Sequence, residues 1–339
     1  MRFTFFRSLL APAGALLLGG QALAFQAGMQ PLEVPAATSG APAIPVVLYY
    51  PTQAAEREVP MGPFTAHVAM GGAPEATVAG LILLSHGTGG SEIGHGRLAE
   101  GLARSGYLIA ALRHPGDNWQ DRSLLASTPA RYFGERPRQA SRVVDAVLAD
   151  PQWKDRIARD ATGPRIGAVG HSAGGYTVLA LAGGRPDLRR VVAHCTGPEA
   201  AADALFCRTG PRDTRPAAAP PPEADVADPR VRAVAALAPV GVVFDAASLA
   251  AIRIPVALYV AEQDRWLQPR FHADWIAANL SSVQVHRVPN AWHFAFIDTP
   301  SMPLPTPDGD IGADPPGFDR AAFLAQLARD LPAFFDRSW

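Results

Sequence analysis

From residue 80 onward the chain alternates two apolar patterns, and that alternation narrows the fold class more than any other feature. Short, nearly continuous apolar runs occupy 79–85, 106–112, 165–170, 231–238, 254–260 and 283–288. Runs of this length are short for helices and read as strands, most of them buried on both faces. Between and after them, 96–105, 135–149, 173–182, 271–280 and 318–335 read as helices, most with their apolar residues gathered on one face. Strand and helix in turn imply an α/β fold, a mainly parallel central sheet flanked by helices. Pro137 is expected near the first turn of the helix at 135–149, where proline costs nothing. Upstream, 45–50 and 64–70 read as further strands. The Ala-, Gly- and Pro-rich stretch 25–44 reads as an extended linker in front of a domain spanning 45–339.

One stretch breaks the alternation. Residues 185–229 hold both cysteines and a Pro-Ala run at 216–222. A structureless connection that long is unusual inside a compact domain. It reads as an insertion on the domain that can reach over the site; a lid is one role open to it.

Composition excludes several classes. The 339 residues are 48% hydrophobic and 18% charged, enough to bury a full core and unlike a disordered chain. Thirty basic against 31 acidic groups leave a net charge of −1, which argues against a nucleic-acid partner held through phosphates. Lys154 is the single lysine, so a phosphate-binding or Schiff-base lysine has one candidate only.

The N-terminus has the pattern of an export signal over residues 1–24. Arg2 and Arg7 supply positive charge, 9–20 is an apolar run too short to span a bilayer comfortably, and Ala22-Leu23-Ala24 is a small-x-small cleavage site. The alternative is an uncleaved anchor. No later segment reaches about 18 uninterrupted apolar residues, so no stable membrane anchor is expected beyond it. Export places the protein in the periplasm or outside the cell. It also favours a Cys195–Cys207 disulfide over two buried thiols, worth about 3 kcal/mol for so short a loop.

The chemistry is carried by Gly170-His171-Ser172-Ala173-Gly174, set between the strand at 165–170 and the helix at 173–182. This is the G-x-S-x-G elbow, a tight strained turn that lifts a serine hydroxyl above a sheet edge at a helix N-terminus. A glycine-rich turn with an idle serine would look the same without that context. Ser172 is therefore the candidate nucleophile. An oxyanion site needs two backbone N–H groups aimed at one oxygen. Ala173 follows the serine and supplies one. Ser85-His86-Gly87-Thr88-Gly89-Gly90 ends an earlier strand and supplies the other, best from Thr88. The same loop lacks the spacing of a nucleotide-binding glycine loop.

An acid and then a histidine should follow in chain order. Asp264, just past the strand at 254–260, is the first candidate acid; Asp245, in a stretch that also reads as a helix cap, is the second. Glu262 reads as a solvated carboxylate. His293 lies in the loop after the last strand, at the sheet edge that carries the serine. His286 falls inside a strand and His272 in a helix leading away. His293 is the candidate base. His86 and His171 read as braces for the loop and the elbow. Trp266 and Trp292, each beside a candidate site residue, are read as lining an acyl or aromatic pocket, with ordinary packing as the alternative. No histidine or cysteine spacing suggests a metal, and no cofactor is implied.

These motifs resemble the α/β-hydrolase superfamily. More narrowly, residues 45–335 are similar to the exported predicted dienelactone hydrolases, relatives of the platelet-activating-factor acetylhydrolase and bacterial polyester-hydrolase groups. The resemblance rests on Tyr49-Tyr50-Pro51-Thr52, Leu84-Ser85-His86-Gly87-Thr88-Gly89-Gly90, Arg113-His114-Pro115-Gly116-Asp117, Arg136-Pro137 and Gly170-His171-Ser172-Ala173-Gly174-Gly175. It implies the α/β-hydrolase fold, with the acid at Asp264 and the base at His293. Dienelactone hydrolases often carry a cysteine nucleophile where Ser172 stands, which favours esterase activity on a small-molecule or polymeric ester. The acetylhydrolases carry their acid after the preceding strand, where this chain has Ala238-Pro239. An amidase or peptidase on the same residues, and a non-catalytic binding protein on the same fold, are the alternatives.

Overall fold

A computed structural model describes residues 25–37, 40–210 and 226–339. The expected export signal and the Pro-Ala run at 216–222 lie outside the described residues. Ten strands form one sheet: β1 (Gln26–Val34), β2 (Ile44–Thr52), β3 (Arg57–Met61), β4 (Phe64–Met70), β5 (Leu81–Ser85), β6 (Leu108–Leu112), β7 (Ile166–His171), β8 (Ala233–Leu237), β9 (Val256–Ala261) and β10 (Gln284–Val288). Their order is β10-β9-β8-β7-β5-β6-β2-β1-β4-β3. From β10 through β6 every neighbour is parallel, whereas β2 joins β6 antiparallel and opens the mixed end.

Helices cover both faces, as the buried runs require. Along β5 every side chain is buried; Leu81 and Leu83 join one core and Ile82 and Leu84 the other. The first core takes residues from α2 (Pro129–Ala149), α3 (Ala173–Leu181), α6 (Ala246–Ala251) and α7 (Ala273–Asn279). The second takes residues from α1 (Gly96–Arg104) and α8 (Arg320–Asp336). A run apolar at every position is what a strand packed on both sides needs.

Four expectations need correction. Residues 26–34 are strand β1, not linker: they pair with β2 along their whole length. Gly28 lets β1 lie under the Tyr50 ring, where a Cβ would come within 2.3 Å of Tyr50 Cε2. Pro31 is tolerated because β4 pairs β1 only at Gly28 and Met29, so the far edge of β1 is unladdered at Pro31. β2 likewise runs past the expected end at residue 50, through Pro51 to Thr52, because β6 pairs it only as far as Tyr49. Helix α2 starts at Pro129 rather than 135, capped by Thr128, whose hydroxyl accepts from Arg131 N at 3.3 Å. Pro137 is thus inside the helix and buried. Finally, 185–210 is not irregular. It contains α4 (Leu188–Thr196), a short 3-10 turn and α5 (Ala204–Thr209), tied together by the Cys195–Cys207 disulfide.

Candidate active site

Three parallel strands end at one edge, and the site is assembled there. Ser172 follows β7 with φ 58°, a left-handed conformation that a side chain adopts only under constraint. Its backbone is pinned to the end of β8: Ser172 N donates to Leu237 O at 2.9 Å, and Val240 N donates to Ser172 O at 3.1 Å. The glycines are demanded by contact. A Cβ at Gly170 would lie 2.0 Å from Gly174 O, and one at Gly174 would lie 1.9 Å from Ser85 O. No side chain fits either place.

Asp264 follows β9 and His293 lies beyond β10, 29 residues later. His293 Nδ1 is 2.7 Å from Asp264 Oδ2, and His293 Nε2 is 2.9 Å from Ser172 Oγ. The second carboxylate oxygen, Asp264 Oδ1, accepts from Trp266 N and Leu267 N, both at 2.8 Å. Serine, imidazole and carboxylate therefore form one continuous hydrogen-bond chain, all three nearly buried. With Asp264 holding the proton on Nδ1, Nε2 presents a lone pair to the serine hydroxyl.

The alternatives are engaged elsewhere. Asp245 caps α6, accepting from Ser248 N at 2.7 Å. His272 Nε2 donates to Asp203 Oδ2 at 2.9 Å while its Nδ1 accepts from Gly241 N at 3.1 Å. His286 stacks on Tyr259. Glu262 is exposed.

The loop after β5 runs alongside the serine: a Cβ at Gly87 would come 3.1 Å from Ser172 Cβ. Gly87 O accepts from His86 Nδ1 at 2.7 Å and from Gly90 N at 3.1 Å. Across a trans peptide the Thr88 N–H points the opposite way. Neither it nor the Ala173 N–H, in the first turn of α3, meets an acceptor among the described residues. His86 is neutral, its pKa lowered to about 3 by burial and then by the nearby Arg136 charge. His171 is buried and held well below the usual histidine range, first by desolvation and then by His293. Its Nε2 donates to His293 O at 2.9 Å, which ties the elbow to the histidine loop.

The two tryptophans differ. Trp266 stacks on the His293 ring at 6.1 Å and packs edge-on to Phe294. Trp292 is covered instead by the Arg265 guanidinium, 3.8 Å from its ring, and Arg265 pairs with Asp308. Among the described residues one group, His194, Asp203 and Cys207, has metal-ligand atoms close together. The Cys207 sulfur is in the disulfide, and Asp203 already accepts from His194 and His272.

Sequence reasoning missed the polar network behind the loop that follows β5, built on Asp117, Tyr132 and Arg136. A signal was present: Arg136 falls on the same helical face as Phe133, Ala140 and Val143, where an arginine must find partners inside the protein.

No protein-family model and no curated protein matches the chain. Solved structures do. A ferulic acid esterase from Streptomyces cinnamoneus superposes with TM-score 0.61 at 21% identity, covering 94% of this chain and 91% of that one. The chain has the α/β-hydrolase fold. A dienelactone hydrolase from Anabaena variabilis superposes with TM-score 0.51 at 15% identity, covering 92% and 99%. An α/β-hydrolase fold places ligands at the C-terminal edge of its parallel strands, the edge that carries Ser172, Asp264 and His293 here.

Proposed function

We propose that the protein is an exported serine hydrolase that cleaves carboxylic esters. The observation that carries this reading is the hydrogen-bond chain Ser172–His293–Asp264 at a strained elbow. Ser172 Oγ attacks the acyl carbon while His293 Nε2 takes its proton. Asp264 keeps the imidazole in the right tautomer and stabilises its cation. The N–H groups of Ala173 and Thr88 hold the oxyanion of the tetrahedral intermediate. His293 then protonates the departing alcohol, and water cleaves the acyl-enzyme along the same route. Trp266 and Phe294 offer an aromatic wall beside His293 for an apolar or aromatic acyl group. The esterase and dienelactone-hydrolase structures on this fold support an ester-cleaving activity. For export, the disulfide agrees with an oxidising compartment, and no helix among the described residues is long and apolar enough to cross a membrane.

The test is labelling by a fluorophosphonate, with the modified residue located by mass spectrometry, beside a panel of p-nitrophenyl esters and matching amides. Modification of Ser172 with ester turnover, both abolished in Ser172→Ala, is the expected result. An unlabelled protein would be a binding protein on this fold, and faster amide turnover would make it an amidase.

A further inference from the structure

Two sequence motifs find no role in the reaction as described: Arg113-His114-Pro115-Gly116-Asp117 and the Arg136-Pro137 pair. The fold brings them together behind the oxyanion loop. Arg136 and Asp117 are both fully buried, and the Arg136 guanidinium donates to Asp117 Oδ2. The same guanidinium donates to His86 O and, through Nε at 3.1 Å, to Thr177 Oγ1 on α3. One side chain therefore clamps the loop against the helix that starts at the nucleophile.

Asp117 grips the loop from the other side. Its Oδ1 accepts from Gly89 N at 2.9 Å, and its Oδ2 accepts from Tyr132 OH at 2.8 Å. Tyr132 OH also lies 2.8 Å from Thr88 Oγ1. So the carbonyl of residue 86, the hydroxyl of residue 88 and the N–H of residue 89 are all tied to one buried pair. The Thr88 N–H between them stays free of any acceptor among the described residues.

We propose that the Arg136–Asp117 pair, acting with Tyr132, is the positioning element that aims the Thr88 N–H at the oxyanion. The inference rests on the esterase reading above. Buried ion pairs are poor sources of net stability, because desolvating both charges offsets much of their attraction. An oxyanion donor, by contrast, gains from being fixed before the charge develops, since it then costs no reorganisation in the transition state. A buried pair that reaches residues 86 and 89 directly, residue 88 through Tyr132, and the nucleophile helix suits that purpose.

The experiment compares Arg136→Lys, Asp117→Asn and Tyr132→Phe with wild type. The readouts are kcat and KM on a p-nitrophenyl ester and Ki for an aryl trifluoromethyl ketone. Ser172 Oγ adds to the ketone carbon and its proton passes to His293. The product is a hemiketal whose oxygen takes the carbonyl electron pair and carries negative charge in the oxyanion site. Loss of one aimed donor costs about 10²–10³-fold in kcat. Arg136→Lys and Asp117→Asn should fall by that order, with KM within about threefold and Ki raised in parallel with the loss in kcat. Tyr132→Phe keeps the ring and the fold and should lose about tenfold in both readouts. A general loosening would instead lower Tm and disturb KM without the matched rise in Ki. If Arg136→Lys or Asp117→Asn does not fold, Tyr132→Phe decides: unchanged kcat and Ki overturn the inference. Active wild type with all variants unchanged overturns it alone. A wild type that neither turns over esters nor binds the ketone overturns the esterase reading and this inference with it.

Discussion

Replacing Asp264 by asparagine isolates what the carboxylate contributes, because the structure dictates how the amide must sit. Two N–H donors, from Trp266 and Leu267, converge on Asp264 Oδ1 at 2.8 Å each. An asparagine must place its carbonyl oxygen there; the reverse orientation would set an NH₂ against two N–H groups. The amide nitrogen then faces His293 Nδ1, where the carboxylate oxygen stood at 2.7 Å. Facing a donor, Nδ1 gives up its proton and the ring carries it on Nε2. Nε2–H now donates to Ser172 Oγ and has no lone pair to receive the serine proton. Wrong-tautomer substitutions of this kind cost about 10⁴-fold in kcat, about 5.5 kcal/mol of barrier. The backbone hydrogen bonds and the side-chain volume survive, so Tm and KM should stay close to wild type. Asp245→Asn is the matched control. Asp245 caps α6 through Ser248 N, and asparagine caps about as well as aspartate, so its activity should stay within about twofold. Stopped assays on a p-nitrophenyl ester, with enzyme in large excess for the slow variant, measure both. Asp264→Asn within tenfold of wild type, or Asp245→Asn the worse of the two, would refute the assignment of the acid.

Gly174→Ala should lose activity and about 1–3 kcal/mol of stability, because its methyl would lie 1.9 Å from Ser85 O and 2.8 Å from His86 O, both backbone; urea denaturation with full wild-type stability would contradict this. Asp298 is buried, and desolvation raises its pKa to about 7. Its folded pKa exceeds the unfolded value near 4, so the folded state holds the extra proton and stability declines as pH rises from about 4 to 7, by up to about 4 kcal/mol. Asp298→Asn, which keeps an acceptor for Arg97 N, should therefore exceed wild type in stability at pH 8, with the gap closing towards pH 4; a gap independent of pH in denaturant melts would refute the burial argument. Cys195 and Cys207 close a loop of sequence separation 12, worth about 3 kcal/mol by loop closure. Reduction should expose α4 and α5 to proteolysis while the sheet melts cooperatively, and should change rates on bulky esters more than on acetates; equal changes on both would rule out a lid role for this segment.

What the sequence makes legible follows from how local each signal is. β5, β6, β7, β8 and β9 are buried at every position, so an unbroken apolar run suffices to find them. The residues that the sequence singles out as Ser172, Asp264 and His293 stand just past strand ends, and the structure joins those same three although 121 residues separate the serine from the histidine. Topology does this work: parallel strands bring their C-terminal ends to one edge whatever the chain between them. β1 was illegible because its evidence is on other strands. Gly28 and Pro31 argue against a strand locally, and only the Tyr50 ring above one and the unladdered edge beside the other permit it.

The buried Arg136 cluster fails for a related reason with a different consequence. Each member has a bland local reading: Asp117 in a loop rich in turn formers, Tyr132 in the connection before the expected helix, Arg136 beside a proline that imitates a helix start. Only the fold shows that the helix begins at Pro129, which moves Arg136 from the first turn of the expected helix to its interior. That shift of the boundary from 135 to Pro129, under two turns, thus hid a buried guanidinium and the bonds it makes. A charged residue at a core position of a periodic pattern is a question about partners, and its answer lies in segments that the pattern itself does not reach. Here those partners are the carbonyl of His86, the carboxylate of Asp117 and the hydroxyl of Thr177. They belong to three separate elements that meet only behind Ser172, so the periodic pattern poses the question that Arg136 raises and only the three-dimensional contacts answer it.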